Sequence, residues 1–252
     1  MADYKSSNII QLFREMGEQV DCEYCVGNQF DSIKTLNSVW PNQVLNFKSA
    51  KSLWPEMAGQ IRADQAANKL PAIIVGEANS EEKLNRFFLE QDYHRRTWTA
   101  MSINPSNLSF DTKGQFSVKE FGNDEKLEDW LAVVKAELML GGTLNSHLFE
   151  SLNQSPNVHF LALYKQAKIV STVLLYTYEE HAGIYLLATR KEQRSKGFAK
   201  ALMQEALRRA REKSCSSVWL QATEAGYSLY KRLGFKDAGK IPVYKFKGDA
   251  NS

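Results

Sequence analysis

The chain has 252 residues, of which 43% are hydrophobic and 24% are charged. This size suits one large domain or two small ones, and the composition is that of an ordinary globular protein. A net charge of only +3 argues against general affinity for nucleic acid, and the apolar runs are shorter than the ~20 residues of a membrane span. Because the N-terminus also lacks the apolar core of a signal peptide, we expect a cytoplasmic protein that has neither a membrane nor a nucleic acid as its partner.

The three cysteines are Cys22, Cys25 and Cys215, and an odd number argues against a disulfide scaffold. Cys22 and Cys25 have the spacing of a zinc-binding pair, but a structural zinc site needs two more ligands, and the four histidines are scattered. The alternation of Val20, Cys22 and Tyr24 is typical of a strand that faces a core. The sequence therefore predicts buried free thiols and no metal site.

A polar stretch that contains Pro and Gly separates two patterned regions of the chain. It predicts a first domain at residues 1–104, a linker at 105–115 and a second domain at 116–252. Within the first region, the pattern indicates a long helix at 51–67 and a buried strand at 72–76.

The second region alternates strands and helices, which predicts an α/β fold with a mixed sheet. The expected elements, in chain order, are a strand at 116–121, helices at 124–140 and 143–153, and strands at 158–164, 169–178 and 183–189. A long helix follows at 197–213, and its apolar stripe consists of Phe198, Leu202, Met203, Ala206, Leu207 and Ala210. A strand at 218–223, a short helix and a closing pair of strands complete the region.

The turn before the long helix has the chemistry of a phosphate site. The first N–H groups of a helix have no partner inside the helix, and the helix dipole adds partial positive charge there. Gly197 allows the backbone to approach a ligand closely, since it has no Cβ. The cations around this turn are Arg190, Lys191, Arg194, Lys196 and Lys200. We define residues 190–199 as the phosphate loop, and its charge suits a ligand with several phosphates.

Two motifs point to one protein family. The phosphate loop has neither the three glycines of a dinucleotide fold nor the Gly-Lys-Ser/Thr of a P-loop, and reads instead Arg194-x-x-Gly197-x-Ala199. After the next predicted strand comes Tyr230-Lys-Arg-Leu-Gly-Phe235. In this order the two motifs resemble the signatures of the GNAT family of acyl-CoA-dependent N-acyltransferases, and the resemblance extends over residues 116–247. A basic helix surface, the other interpretation of the first motif, does not account for the second.

The resemblance implies a GNAT fold in the C-terminal half and transfer of an acetyl group from acetyl-CoA to a primary amine by direct attack. The acceptor is then a small molecule or a peptide amine, and we expect a monomer or a homodimer. In the family, the tyrosine at the position of Tyr230 protonates or hydrogen-bonds the departing thiolate, so Tyr230 is expected to be the general acid. The alternative is a non-catalytic acyl-CoA-binding or protein-interaction module on a relic GNAT fold.

The resemblance also implies a binding set for acetyl-CoA. Backbone groups of Leu187, Ala188 and Thr189 bond the pantetheine arm, and the loop amides hold the pyrophosphate. The loop residues of this set are Arg194, Ser195, Lys196, Gly197, Phe198 and Ala199. Thr223 stands where the family often has Asn and keeps only part of an amide's hydrogen-bonding capacity. Lys191 stands where Pro is usual, which predicts a less rigid loop.

Two further interpretations stay open at this point. Glu179, Glu180 and His181, in the turn before the strand at 183–189, are either on the acceptor side, where a base is needed, or in a solvated turn. In addition, Phe88 to Tyr93 aligns with Tyr230 to Phe235 at a constant offset of 142 residues (230 − 88 and 235 − 93).

This faint copy has no phosphate loop, and Phe88 replaces the tyrosine. It predicts a tandem GNAT-like arrangement with a degenerate first half, for which the first half must contain a six- or seven-stranded mixed sheet. The alternative is an unrelated α/β domain with a chance likeness.

Overall fold

The computed structural model describes residues 8–48, 54–77, 81–91, 93–109, 116–123 and 125–246. Several sequence predictions fall partly outside these residues: the ends of both predicted domains, the start of a helix at Lys51, residue 92 of the motif copy, the linker residues 110–115 and the start of a helix at Asp124. The helices and strands, in chain order, are α1 (Asn8–Gly17), β1 (Cys22–Val26), β2 (Asp31–Thr35), β3 (Gln43–Leu45), α2 (Trp54–Ala66), β4 (Ile73–Val75), α3 (Glu81–Phe88), β5 (Tyr93–Ile103), β6 (Ser117–Glu120), α4 (Glu128–Leu138), α5 (Ser146–Leu152), β7 (Val158–Lys165), β8 (Lys168–Tyr178), β9 (His181–Thr189), α6 (Phe198–Glu212), β10 (Ser217–Ala222), α7 (Glu224–Arg232) and β11 (Lys236–Phe246).

These elements form two compact units. Unit 1 consists of the residues up to Met101, Gln221–Tyr227 and the residues from Asp237 onward, and unit 2 consists of Ser102–Leu220 and Ser228–Lys236. The mixed α/β fold class expected from the sequence is confirmed. The division at 104 and 116 into independent domains stays a prediction. Among the described residues, no helix combines the length and the apolar character that crossing a membrane requires.

The sheet of unit 1 is mixed. Over the described residues its strand order is β1-β2-β3-β4-β11-β5. The pairs β1/β2, β2/β3 and β4/β11 are antiparallel, whereas β3 and β4 are parallel and have α2 between them in the chain. Residues 1–104 supply five of these strands, one fewer than the tandem hypothesis requires of the first half, and β11 from the end of the described chain supplies the sixth.

Aromatic pairs support the repeat that the sequence suggested. In unit 1, the rings of Phe88 and Tyr93 meet edge to face, with centroids 5.3 Å apart and planes at 69°. In unit 2, the rings of Tyr230 and Phe235 meet in the same way, at 5.9 Å and 64°. In both cases a helix leads into a strand of the same length, because β5 and β11 each have 11 residues. We therefore retain the tandem arrangement as a proposal.

The predicted burial of the first two cysteines is wrong in part. Val20 is 69% exposed and Cys25 is exposed, while Cys22 is half-buried beside the hydroxyl of Thr35 at 3.2 Å. Val20 lies in the turn before β1, and Cys25 lies on the face of β1 opposite to Cys22 and Tyr24. Cys215 is buried, as expected.

A buried carboxylate organises the β2 end of unit 1. Asp31 is fully buried and accepts hydrogen bonds from the Tyr24 hydroxyl at 2.7 Å, from Asn46 Nδ2 at 2.6 Å and from the Lys48 ammonium. Burial by itself raises the pKa of Asp31, but these hydrogen bonds and the charge of Lys48 outweigh it and lower the pKa below its ordinary value. The ionised form is therefore the one that stabilises the fold.

We expect this carboxylate to make the protein acid-sensitive. A carboxyl group whose pKa is lower in the folded state stabilises above its unfolded pKa of about 4, and the stabilisation is lost as the pH falls through the folded pKa. Asp31→Asn should lower the free energy of unfolding at pH 7 by about 2 kcal/mol and flatten the decline below pH 4. Thermal melts of both proteins from pH 7 to pH 3 measure this, and parallel pH curves would contradict it.

The part of the sheet that belongs to unit 2 is also mixed, with helices on both faces. Its order is β10-β9-β8-β7-β6, with β9 and β10 parallel and the other pairs antiparallel. On one face, the Trp130 ring of α4 packs against Phe160, and its N–H donates to Leu161 O at 3.0 Å. On the other face, Glu120 joins His159 to Arg209 of α6, since neighbouring residues of a strand point to opposite faces.

The long helix of unit 2 agrees closely with its prediction. All six residues of its apolar stripe are buried. The end of the chain differs from expectation, since one continuous strand, β11, takes the place of a closing pair. The chain passes through Gly239 and Pro242 without turning back, and the Pro242 carbonyl accepts the Gly76 N–H at 2.8 Å.

Candidate active site

The site begins where β9 separates from β10. Parallel pairing runs from His181 opposite Ser217 to Ile184 opposite Leu220, whereas β9 itself continues to Thr189. Residues 185–189 therefore extend past the paired section. This stretch includes Leu187, Ala188 and Thr189, whose backbone groups were predicted to bond the pantetheine arm. That role stays a prediction.

A β-bulge interrupts the same stretch of β9. On the β8 side, Thr172 lies opposite Ala188 but Leu174 lies opposite Tyr185, so two residues of β9 face Val173 alone. Leu186, one of the two, has φ of +51°. A bulge turns backbone groups away from the regular ladder, and it is a common device beside functional sites.

The strand end is fixed from the β8 side. Ser171 Oγ donates to Ala188 O at 2.7 Å and lies 2.8 Å from Thr189 Oγ1. Arg190 then bonds β8 twice, through its N–H to Val170 O at 3.0 Å and through Nε to Ile169 O at 2.7 Å. The first residue of the phosphate loop is therefore held to β8 by two hydrogen bonds.

The loop ends at the N-terminus of α6. Gly197 caps the helix with φ of +83°, a conformation that residues with a Cβ rarely adopt. The first helical bond joins Ala201 N–H to Gly197 O at 3.0 Å, so the N–H groups of Phe198, Ala199 and Lys200 have no intrahelical acceptor. A Cβ built on Gly197 would meet no atom within 4 Å, so the structure is open on that side of Gly197.

The predicted loop residues serve in two different ways. Arg194, Ser195, Lys196 and Gly197 are exposed, and Ser195 also has positive φ, at +61°. Phe198 is buried, with its ring edge to face on Phe116 at 5.0 Å and Lys165 Nζ 5.7 Å from its centroid. It can offer a ligand only its backbone, because its side chain anchors the helix.

The cations of the loop do not all face a ligand. Lys196 Nζ donates to Glu192 O at 2.7 Å, and the Arg190 side chain is bonded to β8. Arg194 Nη2 donates to Glu137 Oε2 of α4 at 2.6 Å. Arg190, Arg194 and Lys196 therefore help to hold the loop in its shape. This differs from the sequence prediction, in which all the loop cations serve the ligand.

Glu137 is the residue that the sequence analysis missed. Its Oε1 also accepts the Lys191 N–H at 3.0 Å. Nothing in the sequence marks it, since it is one acidic residue near the end of an amphipathic helix, 57 positions before Arg194 in the chain. Residue spacing does not reveal a contact of this range.

Tyr230 lies on α7 and is 8% exposed as a residue. Its carbonyl accepts the Phe235 N–H at 3.0 Å, across a turn in which Gly234 has φ of +93°. No residue in the described part of the chain hydrogen-bonds its hydroxyl. Burial raises the pKa of Tyr230 to about 12, so the phenol holds its proton at neutral pH. A protonated phenol without a competing partner has the form that a general acid needs.

The remaining predicted positions lie elsewhere. Thr223 is exposed in unit 1, where its carbonyl accepts the N–H groups of Gly226 and Tyr227 at 3.1 and 3.0 Å. Glu179 and Glu180 are exposed before β9. His181 opens the strand, with Nδ1 2.8 Å from Ser217 Oγ. The start of β9 is roughly 25 Å from its end at the usual rise per residue. Glu179, Glu180 and His181 are therefore far from the phosphate loop.

Comparison with known families now identifies a segment of the chain. Residues 126–235 match the model of the acetyltransferase (GNAT) family. This segment is a GNAT acetyltransferase domain. It contains β9, the phosphate loop, α6 and Tyr230, so the candidate site lies wholly within the matched residues. The family assigned from the two motifs is confirmed, and its general chemistry is acyl transfer. A search of curated proteins finds no match.

Solved structures extend the likeness in fold to both units. A GCN5-related N-acetyltransferase from Kribbella flavida is 14% identical, covers 98% of this chain and 97% of its own, and has a TM-score of 0.72. One from Sphaerobacter thermophilus is 16% identical at 93% and 84% coverage, with a TM-score of 0.65. A glucosamine N-acetyltransferase region of a fungal β-N-acetylglucosaminidase is 9% identical at 89% and 31% coverage, with a TM-score of 0.60.

Proposed function

We propose that the protein transfers the acetyl group of acetyl-CoA to a primary amine. One observation carries the proposal: a GNAT domain in which the N–H groups of Phe198–Lys200 have no intrahelical acceptor also has a buried, protonated phenol at Tyr230. A relic domain has no reason to retain both. A cytoplasmic location and a small-molecule or peptide amine as acceptor belong to the same proposal.

The phosphate loop has the donors that acetyl-CoA requires. The N–H groups of Phe198, Ala199 and Lys200 and the outer face of Arg194 would hold the diphosphate, since helix N-termini and guanidinium groups both favour phosphate oxygens. The backbone of residues 187–189 would bond the pantetheine amides. The family resemblance adds the Thr223 hydroxyl as the remaining member of the proposed set.

The chemistry needs little more from the chain than positioning and one proton. Acetyl-CoA supplies an activated thioester. The amine nitrogen forms a bond to the acetyl carbon, the carbon–sulfur bond breaks, and the nitrogen loses its proton to solvent or a base. The Tyr230 hydroxyl donates to the sulfur as negative charge builds there, which lowers the barrier of the step that expels it.

The first test is a calorimetric titration of the protein with acetyl-CoA. We expect binding with a Kd on the order of micromolar, about −8 kcal/mol. Release of CoA thiol is then followed with a panel of amines, in which glucosamine is included because the fungal region of similar fold acts on it by name. Binding without transfer to any amine would favour an acyl-CoA-binding module, and a folded protein that binds no acetyl-CoA would end the proposal.

A further inference from the structure

We propose that Glu137 is a positioning residue that holds the phosphate loop in its binding shape. The inference rests on the proposed function of that loop. Glu137 is next to the last residue of α4 and belongs to neither family motif. Its carboxylate accepts hydrogen bonds from the loop at two points, so it can fix the direction in which the loop donors point.

Glu137 and Arg194 form a connected set of hydrogen bonds around the start of the loop. Glu137 Oε1 accepts the Lys191 N–H at 3.0 Å, and Oε2 accepts Arg194 Nη2 at 2.6 Å. Arg194 Nε in turn donates to Thr189 O at 3.2 Å. One carboxylate therefore holds both Lys191, the first residue of the short turn Lys191–Gln193, and Arg194, the residue after it, against α4. The Arg194 guanidinium in turn holds this segment to the end of β9.

The exposed fractions of the two side chains show which of them can face a ligand. The Glu137 side chain is 12% exposed, whereas the Arg194 side chain is 55% exposed. The carboxylate is covered, and the guanidinium faces outward above it. Arginine has five N–H donors, and the two bonds described leave the others for a phosphate. Glu137 thus orients Arg194 toward a ligand and does not compete for it.

The loop needs such a tether for two physical reasons. Its cations repel one another, and a covered carboxylate beneath them offsets that repulsion. In addition, Lys191 leaves the main-chain torsion free at a position where a proline would restrict it. The N–H group that a proline lacks is the one that donates to Glu137. A loop held before binding loses less conformational entropy when the ligand arrives.

A purely structural role predicts a different pattern of effects. An ion pair with one half-exposed partner contributes little to global stability. Removal of Glu137 should therefore appear in acetyl-CoA affinity and in local order of the loop, with the melting temperature within about 2 °C of wild type. Loop order can be measured directly, because trypsin cleaves after Arg190, Lys191, Arg194 and Lys196 when the segment opens.

The experiment compares Glu137→Gln and Glu137→Ala with Glu128→Gln, an exposed carboxylate at the other end of α4. For both Glu137 variants we expect tryptic cleavage at residues 190–196 of the unliganded protein to rise about fivefold. We also expect the Kd and KM for acetyl-CoA to rise about five- to tenfold with kcat kept, as the loss of one or two hydrogen bonds implies. Glu128→Gln should match wild type in every measurement.

Two outcomes would overturn the inference. One is cleavage and affinity at wild-type levels in both Glu137 variants. The other is a large fall in melting temperature, which would make Glu137 a structural residue. If the wild-type protein bound no acetyl-CoA, the proposed function would fail, while the cleavage rates of the unliganded variants would still show whether Glu137 holds the loop.

Discussion

Tyr230→Phe should lower kcat by about a hundredfold or more, since a general acid of this kind contributes roughly 10²–10⁴. The substitution removes one hydroxyl and little else. In the proposed repeat, Phe88 takes the equivalent place and makes a similar edge-to-face contact with its neighbouring ring, so a phenylalanine ring suits this packing. The KM for acetyl-CoA and the melting temperature should therefore stay close to wild type.

The matched control is Tyr227→Phe, which removes a hydroxyl from the same helix. Tyr227 OH bonds the Asp237 carboxylate at 2.8 Å, and no part of the proposed reaction involves it. We expect wild-type turnover in this variant. Equal kcat for Tyr230→Phe and wild type, with acetyl-CoA still bound, would remove Tyr230 from the reaction.

The pH dependence of kcat provides a second check on Tyr230. Because burial raises its pKa to about 12, the phenol keeps its proton through the accessible alkaline range. We expect no decline of kcat between pH 8 and about 10 that originates from this group. A decline in that range that Tyr230→Phe abolishes would show that the phenol ionises much earlier than its burial implies.

The double variant Arg194→Glu/Gly197→Glu should abolish acetyl-CoA binding. It places two carboxylates where the diphosphate is expected and removes the cation that Glu137 orients. We expect the Kd to rise about a thousandfold or more, equivalent to ~4 kcal/mol. A side chain at Gly197, where φ is +83°, also costs about 1–2 kcal/mol of stability. Calorimetry measures the Kd, and circular dichroism shows whether the variant is folded.

A control can match both parts of this change. Gly141 also has φ of +83°, and a Cβ there meets no atom within 4 Å. Arg86 is an exposed cation on α3. Arg86→Glu/Gly141→Glu thus carries the same charge change and the same backbone strain, but we expect it to bind acetyl-CoA like wild type. Equal losses in both double variants would attribute the effect to strain or charge in general.

The two units differ in how far the sequence predicts them. In unit 2, local patterns decide the structure: the apolar stripe of α6 is buried as expected, and both family motifs lie in single continuous segments. In unit 1, Val20 is exposed in a turn before β1 begins, and Cys25 lies on the exposed face of that strand. Alternation along a strand gives the two faces but does not tell whether a neighbour covers them.

The site itself shows the same limit. Gly197 and Tyr230 were found because a backbone conformation and a proton each demand one residue type at one position. The contact of Glu137 with Lys191 and Arg194 joins distant parts of the chain and leaves no local pattern. The continuity of β11 could not be predicted because Gly and Pro are turn formers in most settings, and here the pairing with β4 keeps the strand extended.

The position of β11 in the sheet of unit 1, between β4 and β5, has a consequence for the order of events during synthesis. A ribosome releases the chain from its N-terminus, so β1 to β5 emerge long before residues 236–246. Until then, β4 lacks its antiparallel neighbour, and an exposed strand edge attracts other chains. The sheet of unit 1 can therefore be completed only after residues 236–246 have been synthesised, and a nascent chain paused before β11 keeps the edge of β4 exposed.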